Sequence, residues 1–192
     1  GTSQGGSGSG IFSTVVGTAV GNSEGIEISA SDSIFIDGKG TFQVGIFTEV
    51  EDAAKGNAGE IKINTNNLSL VNGGAVSSSA FGKGNTGAIK INATDTISVN
   101  YSNIFSRVQG DGNASGIEII TNNLNLTNGG EISSSTFGKG NAGILKITAT
   151  DSIFVDGVDK DKISSGIFSR VDEIAEGNAG GIEIATNNLT LS

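Results

Sequence analysis

The pair Gly-Asn recurs at Gly21-Asn22, Gly56-Asn57, Gly84-Asn85, Gly112-Asn113, Gly140-Asn141 and Gly177-Asn178, at intervals of 35, 28, 28, 28 and 37 residues. A repeat of this length constrains the fold more than any local propensity, because a unit too small to bury its own core must stack on its neighbours. Behind each pair comes an apolar-charged-apolar triplet: Ile26-Glu27-Ile28, Ile61-Lys62-Ile63, Ile89-Lys90-Ile91, Ile117-Glu118-Ile119, Leu145-Lys146-Ile147 and Ile182-Glu183-Ile184. Alternation with period two is the signature of a strand, aliphatic side chains on one face and the charge on the other.

A second alternation follows each triplet, as in Leu68-Ser69-Leu70, Ile97-Ser98-Val99 and Ile153-Phe154-Val155. A third begins at Ile46, Val76, Ile104, Ile132 and Ile167, ahead of the next Gly-Asn. Each repeat therefore holds three short strands, with corners of Gly, Asn, Asp and Ser, residues that tolerate positive φ or bond their own backbone. The pattern predicts an all-β right-handed parallel β-helix of triangular section, with coils of about 28 residues. A single coil offers about five inward aliphatics worth ~1.5–3 kcal/mol each. Backbone ordering costs ~1–2 kcal/mol for every residue, so one coil alone does not fold. Residues 1–192 read as a single β-helix segment, a fragment of a longer array, with coils starting near 21, 56, 84, 112, 140 and 177 and a rod about 25–35 Å long. An antiparallel sandwich of the same strands is the alternative; hairpins, however, do not need the same residues at one offset in every repeat.

Stacking places equivalent side chains over one another, so the proposed register can be checked along the chain. The outward residue of the first strand runs Glu27, Lys62, Lys90, Glu118, Lys146, Glu183, and four of its five steps join opposite charges, the favourable arrangement between neighbouring strands. The Asn of each Gly-Asn is expected to stack amide on amide along the axis. Coils carrying Thr-Asn-Asn-Leu at the next corner alternate with coils carrying Asp32, Asp95 or Asp151 there, which keeps carboxylates out of a continuous column.

Composition narrows the chemistry. The chain has 31 Gly and no Cys, His, Pro, Met or Trp. Thiol and imidazole catalysis and the common zinc, haem and iron–sulfur sites are thereby excluded. A formal charge of −9 disfavours nucleic acid as a partner. No apolar run approaches the ~20 residues of a membrane helix, so membrane insertion is not expected either.

The run from Gly56-Asn57-Ala58-Gly59 through Thr65-Asn66-Asn67-Leu68-Ser69-Leu70, Asn72-Gly73-Gly74 and Val76-Ser77-Ser78-Ser79 to Phe81-Gly82-Lys83-Gly84-Asn85 resembles the repeat of filamentous-haemagglutinin-type bacterial exoproteins, especially cyanobacterial ones. A second copy runs from Gly112 to Asn141. The resemblance implies a secreted or cell-surface β-helical rod, exported by the two-partner route, that acts in adhesion or in an extracellular matrix. Its implied partners are glycans or proteins of surfaces or matrix. Self-association is an expectation from the residues themselves, end to end through uncapped coils or laterally through an exposed aromatic stripe.

Two coils exceed 28 residues, both at the corner between the second and third strands. Insertions in a solenoid map to one face, often a binding face. They bring the binding-face candidates Phe35, Phe42, Phe154 and Lys160, with Phe35 and Phe154 where other coils carry Ser, Asn or Thr. The simpler reading is that each loop folds over its own ring; the sharper one is an aromatic groove for a glycan or partner. Asp156, Asp159 and Asp161 are the candidate oxygen ligands for calcium, though they lack EF-hand spacing, and a solvated loop accounts for them. Further rings recur on the third strand, at Phe12, Phe47, Phe105 and Phe168 in one coil type and at Phe81 and Phe137 in the other. Alternation after Ile104 turns Phe105 outward beside Arg107; a corner bend would instead bury it. Arg107 and Arg170 are the only arginines, in matching Ile-Phe-Ser-Arg-Val contexts, and the Asp positions are as regular as the scaffold. Catalysis by clustered acids is therefore not expected. The leading expectation is a structural or adhesive rod, and the runner-up is a polysaccharide-binding or polysaccharide-cleaving β-helix that uses the insertion loops.

Overall fold

A computed structural model of the chain describes residues 9–39, 44–159 and 161–192. Every regular element among them is a strand: β1 (Gly10–Val15), β2 (Ile26–Ser29), β3 (Ser33–Asp37), β4 (Val44–Val50), β5 (Ile61–Val71), β6 (Gly74–Ala80), β7 (Ile89–Asn100), β8 (Asn103–Val108), β9 (Ile117–Thr127), β10 (Glu131–Thr136), β11 (Leu145–Asp156), β12 (Gly166–Val171) and β13 (Ile182–Leu191). They form two parallel sheets, one of six strands in the order β1-β4-β6-β8-β10-β12 and one of seven with the path β13-β11-β9-β7-β5-β2, β3 pairing beside β2 on β5. From β4 onward consecutive strands alternate between the sheets, so hydrogen-bonded neighbours are a full repeat apart. This connectivity is consistent with a solenoid and leaves no place for hairpins between the main strands.

The register follows the repeat residue for residue. Ile61 pairs with Ile26 on one side and Ile89 on the other. Glu27, Lys62, Lys90, Glu118, Lys146 and Glu183 lie in one column. Lys62 meets Glu27 at 2.7 Å and Lys146 meets Glu118 at 3.9 Å, while Lys90 turns to Glu60 at 3.1 Å, a diagonal contact that places a carboxylate beside the one like-charged step, Lys62 to Lys90.

The first two runs of each repeat differ from the expectation of separate strands. Only in the first full coil do they stand apart, as β2 and β3; in later coils they join into strands of 10 to 12 residues. Coils with an Asp corner carry one residue more than those with Thr-Asn-Asn-Leu, and a bulge absorbs it, shifting the register between Thr65 and Asn67, Asn92 and Thr96, and Ala149 and Ser152. Thr121 helps fix this bend by donating its hydroxyl to the Asp95 carbonyl at 3.1 Å.

The third side is made by the Gly-Asn segments. Isolated parallel bridges join Lys55 to Lys83 and Asp111 to Lys139. At each of the five steps the Asn side-chain oxygen accepts two hydrogen bonds from the next Asn, one from its backbone N–H and one from its side-chain amide. The preceding glycine is required by closeness: Gly84 has φ +148°, and a Cβ there would collide with the Gly56 carbonyl oxygen.

Inside, two apolar clusters are separated by a polar column. The larger joins the aliphatics of both sheets, including Ile61, Ile89, Ile117, Val76, Ile104 and Ile132; the smaller gathers Val50, Ala54, Ala80, Val108 and Ala114 near the third side. Between them the inward hydroxyls of the six-stranded sheet hold the third-side backbone. Thr48 donates to the Gly59 carbonyl at 2.8 Å, and Ser78 and Ser134 accept the N–H groups of Gly87 and Gly143 at 2.8 and 2.7 Å. Burial depends on having a coil on each side. Ile104 and Leu145 are 0% exposed, whereas Ile11 at one end and Ile182 at the other are 49% and 45% exposed.

Candidate functional site

Two outward surfaces carry side chains with binding chemistry. On the seven-stranded sheet the register aligns Phe35, Ser69, Ser98, Asn125 and Phe154 in one column, so the two rings of the insertion coils stand four strand steps apart. Phe35 is 65% exposed and Phe154 is half-buried; residues 40–43 of the first insertion, which the loop-cover reading folds over Phe35, lie outside the described residues. Phe42 and Lys160 lie outside the described residues.

Beside Phe35, the Asp37 carboxylate accepts the Asn72 amide at 3.0 Å and pairs with Lys39 at 3.0 Å, contacts that hold its pKa below the ordinary value. A cavity of about 410 Å³ next to it is the open end of the core, lined by Ile11, Ile28, Ile34 and Ile46, and Asp37 is its only carboxylate. In the second insertion, Asp159 accepts the N–H groups of Asp161 and Ile163, both at 2.8 Å, and Asp156 accepts the Ser192 hydroxyl at 2.6 Å. Asp159 thus serves its own loop and Asp156 the end of the next coil, and among the described residues no three acids converge in a metal-holding group.

The second surface is the outer face of the six-stranded sheet. In one column bulky and small residues alternate along the axis: Phe47, Ser77, Phe105, Ser133, Phe168. The neighbouring column reads Glu49, Ser79, Arg107, Ser135, Arg170. Phe105 and Arg107 do point outward, as alternation after Ile104 requires. Phe47 is 1% exposed, and Phe12 stacks on it with ring centres 5.1 Å apart.

Arg107 sits among three rings, its guanidinium 5.1 Å from the centre of Phe105, 5.7 Å from Phe81 and 5.8 Å from Phe137. These cation–π contacts join three successive coils. Burial lowers the Arg107 pKa from its ordinary value, against the opposing pull of Glu49 and Glu131, but a guanidinium stays charged in a protein. Burial likewise raises the Glu49 carboxyl, aided by Glu51 and opposed by Arg107. Arg170 lies 3.9 Å from the Phe168 ring centre and 3.8 Å from the Glu131 carboxylate.

Between the two arginines, over the small side chains of β10, the alternation leaves a cleft of about 270 Å³. Ser133 and Ser135 form its floor, and Asn103, Glu131 and Phe137 complete the walls. Its wall arginines and Phe105 are legible in the sequence, but the serine floor is not, because Ser133 and Ser135 look like the inward Ser134 until the register is known.

No protein-family model, curated protein or solved structure matches this chain.

Proposed function

We propose that the chain is a segment of a right-handed, three-sided parallel β-helical rod, with coils of about 28 residues, belonging to a secreted or cell-surface bacterial exoprotein of the filamentous-haemagglutinin type. Its role is structural or adhesive: the rod spaces or presents binding elements and does not catalyse. The observation that carries this reading is the unbroken Asn22 to Asn178 ladder, in which six coils repeat one bonding unit with almost no variation, as a spacer demands and a catalytic surface does not. Antibodies raised against the chain test its placement. They are expected to label intact cells of the source bacterium, with unbranched rods or filaments at the labelled sites under the electron microscope. Labelling only after permeabilisation, or compact particles without elongation, overturns the reading.

A second reading, polysaccharide binding at the insertion face, is favoured by the exposure of Phe35. Phe35→Ser together with Phe154→Ser tests it. Loss of glycan or surface binding with the thermal midpoint unchanged supports that reading, and unchanged binding sinks it.

A further inference from the structure

We propose that the cleft between Arg107 and Arg170 binds a hexuronate unit of an acidic polysaccharide, its carboxylate on the arginines and its hydroxyls on the floor of β10. This goes beyond the rod reading, since it assigns a ligand to a face away from both insertions.

Charge is the first ground. The cleft brings together two guanidinium groups and one carboxylate, Glu131, which lies nearer Arg170. Among the described residues no carboxylate comes within 4.0 Å of Arg107, and its Nε is shielded from solvent without an acceptor. Glu49, the other acid that influences Arg107, is on β4, two strands away and outside the cleft. The terminal guanidinium nitrogens of Arg107, unlike Nε, are not sealed from solvent and have no acceptor among the described residues, and a carboxylate oxygen is the strongest acceptor that they can be offered.

Hydroxyl chemistry is the second ground. In the neighbouring trough Ser77 and Ser79 satisfy each other at 2.9 Å, whereas among the described residues no hydrogen bond engages the side-chain oxygens of Ser133 and Ser135. With the Asn103 amide and the Glu131 carboxylate they offer donors and acceptors in the mixture a sugar ring requires. A peptide C-terminus would also satisfy the arginines, but it has one backbone N–H and one C=O per residue where a sugar ring carries a hydroxyl on almost every carbon. Size is the third. A volume of about 270 Å³ lies below the ~300 Å³ lower bound of drug-sized pockets, which suits one ring. The net charge of −9 favours a glycan with sparse uronates over a densely charged polyanion.

The test is titration of the 192-residue chain, followed by amide resonances, with D-glucuronate, glucose, acetate and N-acetylglycylglycine. Glucuronate is expected to shift resonances of β8, β10 and β12, with glucose and acetate each at least tenfold weaker. Arg170→Gln and Ser135→Ala are each expected to weaken glucuronate, the arginine change by about tenfold, with the amide spectrum otherwise native. Lys90→Gln, on the other sheet, is expected to change nothing. Glucuronate binding that survives Arg170→Gln in the folded chain overturns the proposal. So do acetate equalling glucuronate, which marks an anion site only, N-acetylglycylglycine binding more tightly, which marks a peptide site, and the absence of glucuronate shifts in the native chain.

Discussion

The side-chain oxygen of Asn57 accepts two hydrogen bonds from Asn85, 2.9 Å from its backbone nitrogen and 3.1 Å from its side-chain amide. One acceptor thus holds two donors of the next coil, and Asn85 does the same for Asn113. Asn85→Ala removes the amide donor to Asn57, whose oxygen keeps the bond from the backbone N–H of residue 85, and leaves the Asn113 backbone N–H without its acceptor in the stack. The expected loss is about 1–3 kcal/mol, read as a lower midpoint in urea with an unchanged slope. Asn85→Asp keeps the acceptor and loses the amide donor, so its loss is smaller. If Asn85→Ala matches the native midpoint, the ladder contributes nothing to stability.

The buried hydroxyls predict a different pattern. Ser78 accepts the Gly87 N–H at 2.8 Å from a position that is 0% exposed. Ser78→Ala leaves that N–H without a partner and should cost about 1–3 kcal/mol, although the side chain becomes no more polar and only slightly smaller. Hydrogen exchange at Gly87 is the specific readout. Its protection should fall more than that of Ile89.

Neighbouring coils determine how much an aliphatic side chain contributes. Ile89, in the middle of the stack, is 0% exposed, and Ile89→Ala should cost about 2–5 kcal/mol. Ile184, an inward residue of the last coil in the neighbouring column, that of Ile91, is 40% exposed. Ile184→Ala in the same chain should cost clearly less than Ile89→Ala. Equal losses in thermal or urea unfolding would contradict the one-dimensional stacking.

Glu49 gives a signed pH dependence. Burial is the main reason its carboxyl titrates above the ordinary value of 4.5, with Glu51 adding to the shift and Arg107 opposing it. A raised folded pKa favours the protonated form, so this group's contribution falls as pH rises from the unfolded value through the folded one. Glu49→Gln is expected to raise stability at neutral pH and to make little difference well below pH 4.5. A variant less stable than the native chain at neutral pH would mean that attraction to Arg107 outweighs desolvation.

Much of the architecture is legible before any coordinates. Period-two runs such as Ile89-Lys90-Ile91 identify the inward faces, and the common offset of Gly-Asn identifies which residues stack. The corners are harder. Nothing local distinguishes two strands from one bent strand across Thr65 to Leu68, because the bulge arises from a length mismatch with the coil beside it. The inward serines are disguised in the same way. In Ile104-Phe105-Ser106-Arg107-Val108 the serine faces in and the phenylalanine out, against simple hydrophobicity, because the strand alternates strictly and the Ser106 hydroxyl bonds the Thr86 hydroxyl, which in turn accepts the Ser115 backbone N–H. The three rings around Arg107 come from three coils, so their meeting depends on register and corner shape together.

Disulfide trapping tests the in-register stack most directly, since the native chain has no cysteine. Ser69 and Ser98 are paired across β5 and β7, while Ser69 and Asn125 are two strands apart. Strands spaced ~4.8 Å fall within the Cα separations of about 4.4–6.8 Å that a disulfide spans, and twice that spacing does not. Mild oxidation of the Ser69→Cys, Ser98→Cys chain should close an intramolecular bond in the native state, and the Ser69→Cys, Asn125→Cys chain should stay reduced. Closure of the second pair, or failure of the first in a folded monomer, would contradict the stacking on which everything else rests.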